Sequence, residues 1–461
     1  MSGLRLCVFV AALMLCFGVV VQAQSSLAPP AGKPPELTAE ARIEAALDRK
    51  VSLDAKGMPF DQLINKLSDQ VQVPIKIRKR VEDAGVQLDQ PITMSLQGVK
   101  LRTYLSSVLD NLHVTYMVKN EVIAITTRED ARSPENLLTR TYPVKDLVES
   151  RKELAGGEPE LDFSPLVELV TCTLDPDGWG DVGGPGSVGA FPNAGALVVT
   201  SSREVHERIE RLLVTLRKSK ELLKSPASSA AAGGTSVAVP VALPLGTESE
   251  LASGAKIEAA LSKTGSFVFG ETPLKDVIAK MSGDSGIPIV LGKKIEEAGV
   301  SPHQFITIEV QKVSLRSFLR LLLDELNLTF VTQGELVKIT TIEDAQADEN
   351  LVIWVYPVQD LSEVPRQAKS EEPAIDFAPL IERIVSSIDA DAWGDRQCLL
   401  KEFALTRTLV IAQREEIHEK IADLLTQLRK TKSAQGLDGA PEPMPKGTIP
   451  PPPTRPATAP R

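Results

Sequence analysis

The feature that most constrains this chain is an internal repeat. Ile43-Glu44-Ala45-Ala46-Leu47 returns 214 residues later as Ile257-Glu258-Ala259-Ala260-Leu261. The same offset carries Pro74 to Pro288, Gly85 to Gly299, Arg102 to Arg316, Tyr142 to Tyr356 and Trp179 to Trp393. By Val205-His206-Glu207 and Ile417-His418-Glu419 the offset is 212, so a net two-residue deletion falls between Asp181 and Leu197, where a loop tolerates it. This is a tandem duplication, and whatever one half folds into the other must fold into as well.

Each copy is organised about one stretch, Glu135-Asn136-Leu137-Leu138-Thr139-Arg140-Thr141-Tyr142-Pro143-Val144-Lys145-Asp146-Leu147 and its return at Glu349 to Leu361. It reads as a short strand that stops at a proline, which donates no ladder hydrogen bond. Before it, Ile43, Ala46 and Leu47 mark a helix and Val51-Ser52-Leu53 opens a strand. Phe60, Leu63, Ile64 and Leu67 then fall on one helix face, matched by Leu274, Val277, Ile278 and Met281, with Pro59 and Pro273 at the helix start. A strand at Val73 to Ile77, a turn capped at Gly85 and a strand at Ile92 to Leu96 follow. A leucine-faced helix (Leu101, Leu105, Val108, Leu109, Leu112) and a hairpin about Lys119-Asn120 close the pattern.

That β-α-β-β-α-β-β order resembles the short N-terminal domain shared by bacterial secretins and TonB-dependent receptors. The resemblance covers about Val51 to Thr127 and Phe267 to Thr341, each ending in Ile-Thr-Thr (Ile125-Thr126-Thr127, Ile339-Thr340-Thr341). After the joint come a helix with Phe163, Leu166, Val167 and Val170 inward, a Gly-rich loop, a strand at Ala196 to Thr200 and a helix with Val205, Ile209, Leu212, Leu213 and Leu216. This part is similar to the ring-building (NolW-like) domain that follows the short domain in secretins. The resemblance implies an α+β fold of four small α/β sandwich-like domains, arranged as two tandem copies of a two-domain unit.

The expected division is a signal peptide (1–23), a flexible lead (24–38), a short domain (39–133) and a ring-building-like domain (134–224). A disordered linker (225–253), the second short domain (254–347), the second ring-building-like domain (348–431) and a Pro-rich disordered tail (432–461) complete it. A secretin continues into a membrane barrel, whose strands need about 9–11 alternating residues each. The tail, ending Ile449-Pro450-Pro451-Pro452-Pro453 and beyond, supplies none. With a linker between them, the halves are expected to respond independently to core substitutions.

Arg5, the apolar run Leu6 to Val21 and the small residue Ala23 read as a secretory leader cleaved after Ala23. The expected location is periplasmic or secreted, with no stable membrane insertion after cleavage. The net charge of −10 offers no basic face to nucleic acid. Cys7 and Cys16 leave with the leader, and Cys172 and Cys398 stand at non-equivalent positions, so no disulfide framework is expected.

Candidate chemistry is thin. His206-Glu207 is followed by Glu210, and His418-Glu419 by Ala422, where a zincin helix needs a second histidine. These histidines read as helix-surface residues beside solvated charges. Gly180-Asp181-Val182-Gly183-Gly184-Pro185-Gly186 lacks the Lys-Ser/Thr ending of a phosphate loop, and its counterpart Gly394-Asp395-Arg396-Gln397-Cys398 is not Gly-rich. Asp162 and Asp376 read as helix caps, Asp181 and Asp395 follow Trp-Gly, and His113 and His303 have no counterparts. Trp179 and Trp393 read as core plugs. No catalytic, cofactor-binding or metal-binding residue is expected, and no cofactor. The sequence thus leads to a non-enzymatic envelope protein–protein interaction module, accessory to a secretion or pilus-type assembly, with an envelope protein partner and a monomeric or small oligomeric state. The alternative is a periplasmic receptor-like module for a small molecule or carbohydrate.

Overall fold

The computed structural model describes residues 39–151, 160–224, 242–347, 350–363, 375–393 and 399–435. The expected leader, the lead and nearly all of the tail lie outside the described residues.

The first copy runs α1 (Ala39–Leu47), β1 (Lys50–Pro59), α2 (Phe60–Val71), β2 (Ile75–Ile77), α3 (Lys79–Asp83), β3 (Pro91–Lys100), α4 (Leu101–Asp110), β4 (Val114–Lys119), β5 (Val122–Thr127) and α5 (Arg128–Ala131). The apolar stripes explain the helices: α2 buries Phe60, Leu63, Ile64, Leu67 and Val71, and α4 buries Leu101, Tyr104, Leu105, Val108 and Leu109. β1 pairs antiparallel with β3, while β2 runs parallel to β5 and β5 antiparallel to β4. The β4–β5 turn puts Asn120 and Glu121 at φ of 53° and 62°, the left-handed pair a two-residue hairpin demands. The repeated Ile-Thr-Thr is structural. Thr127 caps α5 by accepting from the Asp130 N–H at 3.1 Å, and Thr126 donates to the buried Asp130 carboxylate at 2.6 Å. Thr340, Thr341 and Asp344 repeat both bonds at 2.6 and 3.1 Å.

Next come β6 (Leu138–Pro143), β7 (Glu149–Arg151), β8 (Glu160–Asp162), α6 (Ser164–Thr173), β9 (Ser187–Phe191), β10 (Ala196–Ser201) and α7 (Arg203–Lys224). β6, β10 and β9 form an antiparallel sheet in that order. β9 is a correction, since it occupies part of the stretch read as a Gly-rich loop; its small residues carry no apolar alternation to announce a strand. Past residue 242 the expected linker is also corrected. β11 (Leu243–Pro244) and α8 (Glu248–Leu261) lie in or overlap 225–253. Thr247 and Glu250 start α8 with a reciprocal capping box, and that pair outweighs the Ser- and Gly-containing composition that suggested disorder.

The second copy repeats the pattern as β12 (Thr264–Pro273), α9 (Leu274–Ser285), β13 (Ile289–Leu291), α10 (Lys294–Glu297), β14 (Phe305–Ser314), α11 (Leu315–Asp324), β15 (Leu328–Gln333), β16 (Leu336–Thr341) and α12 (Ile342–Ala345). It ends with β17 (Val352–Pro357), α13 (Gln359–Ser362), α14 (Ala378–Ser387), α15 (Ala390–Trp393), β18 (Leu400–Phe403), β19 (Thr408–Gln413) and α16 (Glu415–Ala434). α16 continues past the expected tail boundary at 432. Its sheet has four strands, β11-β17-β19-β18.

Buried side chains of the described residues gather into three cores, not four. One contains α1, α2, α4 and their strands, one contains the equivalent α8, α9 and α11 elements, and the third is shared. In it Leu166, Leu169, Leu212 and Leu216 of the first copy belong to one connected cluster with Val355, Phe403 and Val410 of the second. The first core also takes in Leu336 from the second copy, beside a bond from the Lys100 N–H to Glu335 Oε2 at 2.7 Å. The expectation of independent halves is therefore overturned, because apolar surface from both copies is buried in common.

Leu109→Ala should destabilise the protein by about 2–5 kcal/mol, as for a fully buried leucine whose site cannot collapse. Because the copies bury apolar surface in common, calorimetry should show the whole chain melting earlier in one transition. Two transitions, with only the first displaced, would contradict the shared packing.

Candidate functional site at the contact between the copies

The contact is helices on sheet. α6 lies against β18 and β19, and α7 lies against β17 and the turn at Ala404–Thr406. Strand alternation sorts the faces of the second copy's sheet. Tyr356 points to its own α16, so Ile353 and Val355, with Val410, Ala412 and Phe403 across the ladder, form the other face. All five are buried, under the first copy's helices, and all six residues of β19 are buried. Ion pairs frame the contact: Lys401 with Glu168 at 2.8 Å and Arg211 with Glu250 at 2.8 Å.

The same faces left over elsewhere are polar. Thr139 and Thr141 stand where the second copy has Ile353 and Val355, and both are exposed. Thr139 and Thr200 hydrogen-bond each other through their hydroxyls at 2.9 Å. On the helices, buried Leu169 of the first copy corresponds to exposed Arg383, and buried Thr215 to exposed Gln427. These differences between copies were visible in the sequence, but only a known packing partner gives them meaning.

Within each copy one polar framework fixes strand to helix. Tyr142 donates to His206 Nδ1 at 2.8 Å and His206 Nε2 donates to the Leu138 carbonyl at 2.8 Å; Tyr356, His418 and the Val352 carbonyl repeat this at 2.8 and 2.9 Å. The carbonyl can only accept, which sets the proton on Nε2 and leaves Nδ1 to accept from the phenol. Arg217 grips Asp146 at 2.8 and 3.1 Å and the Pro143 carbonyl at 2.7 Å; Arg429 does the same to Asp360 and Pro357 at 2.7, 3.1 and 2.7 Å. The Tyr-Pro-Val-x-Asp stretch is thus held residue by residue from the last helix. A second pattern ties the short segment to that helix. Arg102 bridges Glu207 (2.8 Å) and Glu44 (3.2 Å), and Arg316 bridges Glu419 and Glu258. A cavity of about 330 Å³ opens beside Arg102, Arg203, Arg211, Glu44 and Glu207, its charges largely paired with one another.

The remaining sequence candidates separate cleanly. His206 and His418 are fully buried, correcting their reading as surface residues; helix spacing placed them one step from the apolar stripe, and the tyrosine partner lies over 60 residues away. Trp179 and Trp393 are buried, and each indole N–H donates to a backbone carbonyl, Leu174 at 2.8 Å and Ile388 at 2.7 Å. Asp162 and Asp376 accept from the first helical N–H groups at 3.0 Å. The Gly-rich loop closes on itself: a Cβ on Gly184 would sit 2.3 Å from the Gly178 carbonyl carbon, and Gly184 and Gly186 bond back to Trp179 and Gly178 at 2.8 Å. His113 lies 3.8 Å from Glu297, and His303 is exposed. Cys172 lies half-buried in α6, while Asp395 and Cys398 lie outside the described residues. Among the described residues no three His, Cys, Asp or Glu side chains are grouped to hold a metal ion, and no helix is long and apolar enough to cross a membrane.

No family model and no curated protein sequence matches this chain. Among solved structures it is similar to the N-terminal domain of the secretin XcpQ from Pseudomonas aeruginosa, at 16% identity over 42% of this chain and 83% of that one (TM-score 0.14). It is also similar to the V. cholerae type IV competence pilus secretin PilQ, at 13% identity over 36% and 38% (TM-score 0.15). A third similarity is to the Klebsiella pneumoniae type II secretion outer membrane complex of PulD, PulS and the PulC HR domain, at 12% identity over 82% and 50% (TM-score 0.20).

Burial sets the charge state of the site. Burial holds His418 neutral by depressing its imidazole to about 4, and burial lowers His206 as well. Unfolding lets these groups return to about 6.5, so the unfolded chain takes up the extra protons and stability falls as pH drops from 6.5 toward 4. Glu415 works in the opposite sense. Burial, reinforced by Glu258, raises its carboxyl to about 7, so the folded chain holds that proton between about 7 and 4.5 and gains stability there on acidification. His418→Gln should therefore shift the slope of stability against pH by about −1.4 kcal/mol per pH unit between 4.5 and 6.5, and Glu415→Gln by about the same amount upward. Denaturant midpoints across that range read both changes. Equal slopes in all three proteins would contradict the burial of these groups.

Proposed function

We propose that this chain is a non-enzymatic protein–protein interaction module of the cell envelope, accessory to a secretion or pilus-type assembly. The observation that supports this most is the one-time contact between the copies. Helices of the first copy cover the sheet of the second, while the two faces that would extend the series carry Thr139, Thr141 and Arg383 in place of Ile353, Val355 and Leu169. A heterologous contact repeats indefinitely unless its free faces are blunted. In this reading the duplication makes a finished pair that offers a fixed surface to an envelope partner. The buried histidines, capping aspartates and plugging tryptophans are all engaged in structure, so the reading needs no catalytic group. The apolar run and small residue read as a leader at residues 1–23 support work in the periplasm or outside the cell.

Two measurements test this. Light scattering after size exclusion should give a monomer or small oligomer, whereas a discrete particle of a dozen or more chains formed by the purified protein would sink the finished-pair reading. Cross-linking and mass spectrometry on native envelopes should recover a secretin or pilus component. A soluble carbohydrate or small molecule that raises the melting temperature, with no envelope protein cross-linked, would favour a receptor instead.

A further inference from the structure

The two equivalent sheets differ at one edge. In the second copy, β11 pairs antiparallel with β17, Leu243 opposite Val355 and Pro244 opposite Trp354, and the Leu245 N–H donates to the Ile353 carbonyl at 3.1 Å. In the first copy β6 is the edge strand, and no described strand pairs with its outer side. By the same alternation Thr139 and Thr141, the counterparts of Ile353 and Val355, turn their backbone N–H and C=O groups outward from β10. An open edge of this kind invites an added strand.

The sequence supplies a counterpart for β11. Ala242-Leu243-Pro244-Leu245-Gly246, followed by Glu250-Leu251, stands 214 residues after Ala28-Pro29-Pro30-Ala31-Gly32, followed by Glu36-Leu37. Ala28, Pro30, Gly32, Glu36 and Leu37 are identical to their partners, so the duplicated unit begins ahead of α1. The launching point is also equivalent. α1 packs on α4 as α8 packs on α11, and Glu44 meets Arg102 as Glu258 meets Arg316.

We propose that Ala28–Gly32 of the same chain adds to the open edge of β6 as a short antiparallel strand, Pro29 opposite Thr141 and Ala31 opposite Thr139. The chemistry of the segment fits the seat. Pro244 occupies a position whose nitrogen points away from β17, and Pro30 inherits it without loss. Pro29 gives up the one donor that Leu243 supplies, but its carbonyl still accepts from the Thr141 N–H, and the Ala31 N–H still reaches the Thr139 carbonyl. Pro30 also removes the donor at the centre of the new outer edge, which protects it from further pairing. The inference goes beyond the functional reading and does not rest on it.

Hydrogen exchange on the chain beginning at Gln24 tests the proposal. The peptide spanning 138–143 should be protected, should exchange at least about tenfold faster when residues 24–34 are deleted, and should be unchanged when 436–461 are deleted, with protection across 352–357 kept in all three. Unchanged exchange on deletion of the lead, or loss of protection on deletion of the tail, overturns it. If the deletion disturbs folding, disulfide trapping decides: Ala31→Cys with Thr139→Cys, in a background of Cys172→Ser and Cys398→Ser, should close within one chain, since directly paired residues lie within disulfide reach. An interchain bond, or none, overturns the proposal.

Discussion

The second copy's sheet cannot stand in water by itself. Ile353, Val355, Phe403, Val410 and Ala412 line the face turned away from its own helices, and each is buried. Burying such side chains contributes about 1.5–3 kcal/mol for each of the larger ones, and the helices of the first copy are what bury them. That one requirement makes a duplicated sequence into one body: it recruits α6 and α7 of the first copy, aligns Lys401 with Glu168, and brings α8 to Arg211. The two short segments then meet as well, through Leu336, Glu335 and the Asp110–Lys338 pair at 3.7 Å.

Duplication also separates what the fold needs from what each copy does. The Tyr–His–carbonyl relay, the Arg–Asp clamp on the proline strand and the Arg102 or Arg316 bridge occur in both copies with near-identical geometry. They are properties of the unit. Leu169 against Arg383, and Thr141 against Val355, are properties of position, apolar where the copies meet and polar where they do not. A buried neutral imidazole held by a phenol and a carbonyl is fully satisfied, which is why it can occupy a core position without the penalty of an unpaired polar group.

Much of the local fold was legible. The stripes of α2 and α4, the proline stop at Pro143, the Asn120 turn and the indole plugs follow from periodicity and from the limits of individual residues. What the sequence hid was long-range. His206 looks like a surface residue until Tyr142, on a strand more than 60 residues away, closes over it. β9 is hidden by Ser187, Gly189 and Ala190, which pack little and pair only through backbone. The contact between copies is written as differences of apolar content across the repeat, and a composition that suggested a linker concealed the strand and helix within it. No catalytic constellation was expected, and the candidate site that emerged is a packing surface, which has no motif.

The second copy folds against the first. Splitting the chain into residues 24–224 and 242–435 and mixing the purified pieces tests it most directly. Titration calorimetry should show a saturable one-to-one complex, weakened at least about tenfold by Leu169→Arg in the first piece, and the second piece alone should self-associate through its uncovered sheet. A second piece that is monomeric, cooperatively folded and indifferent to the first would contradict the account.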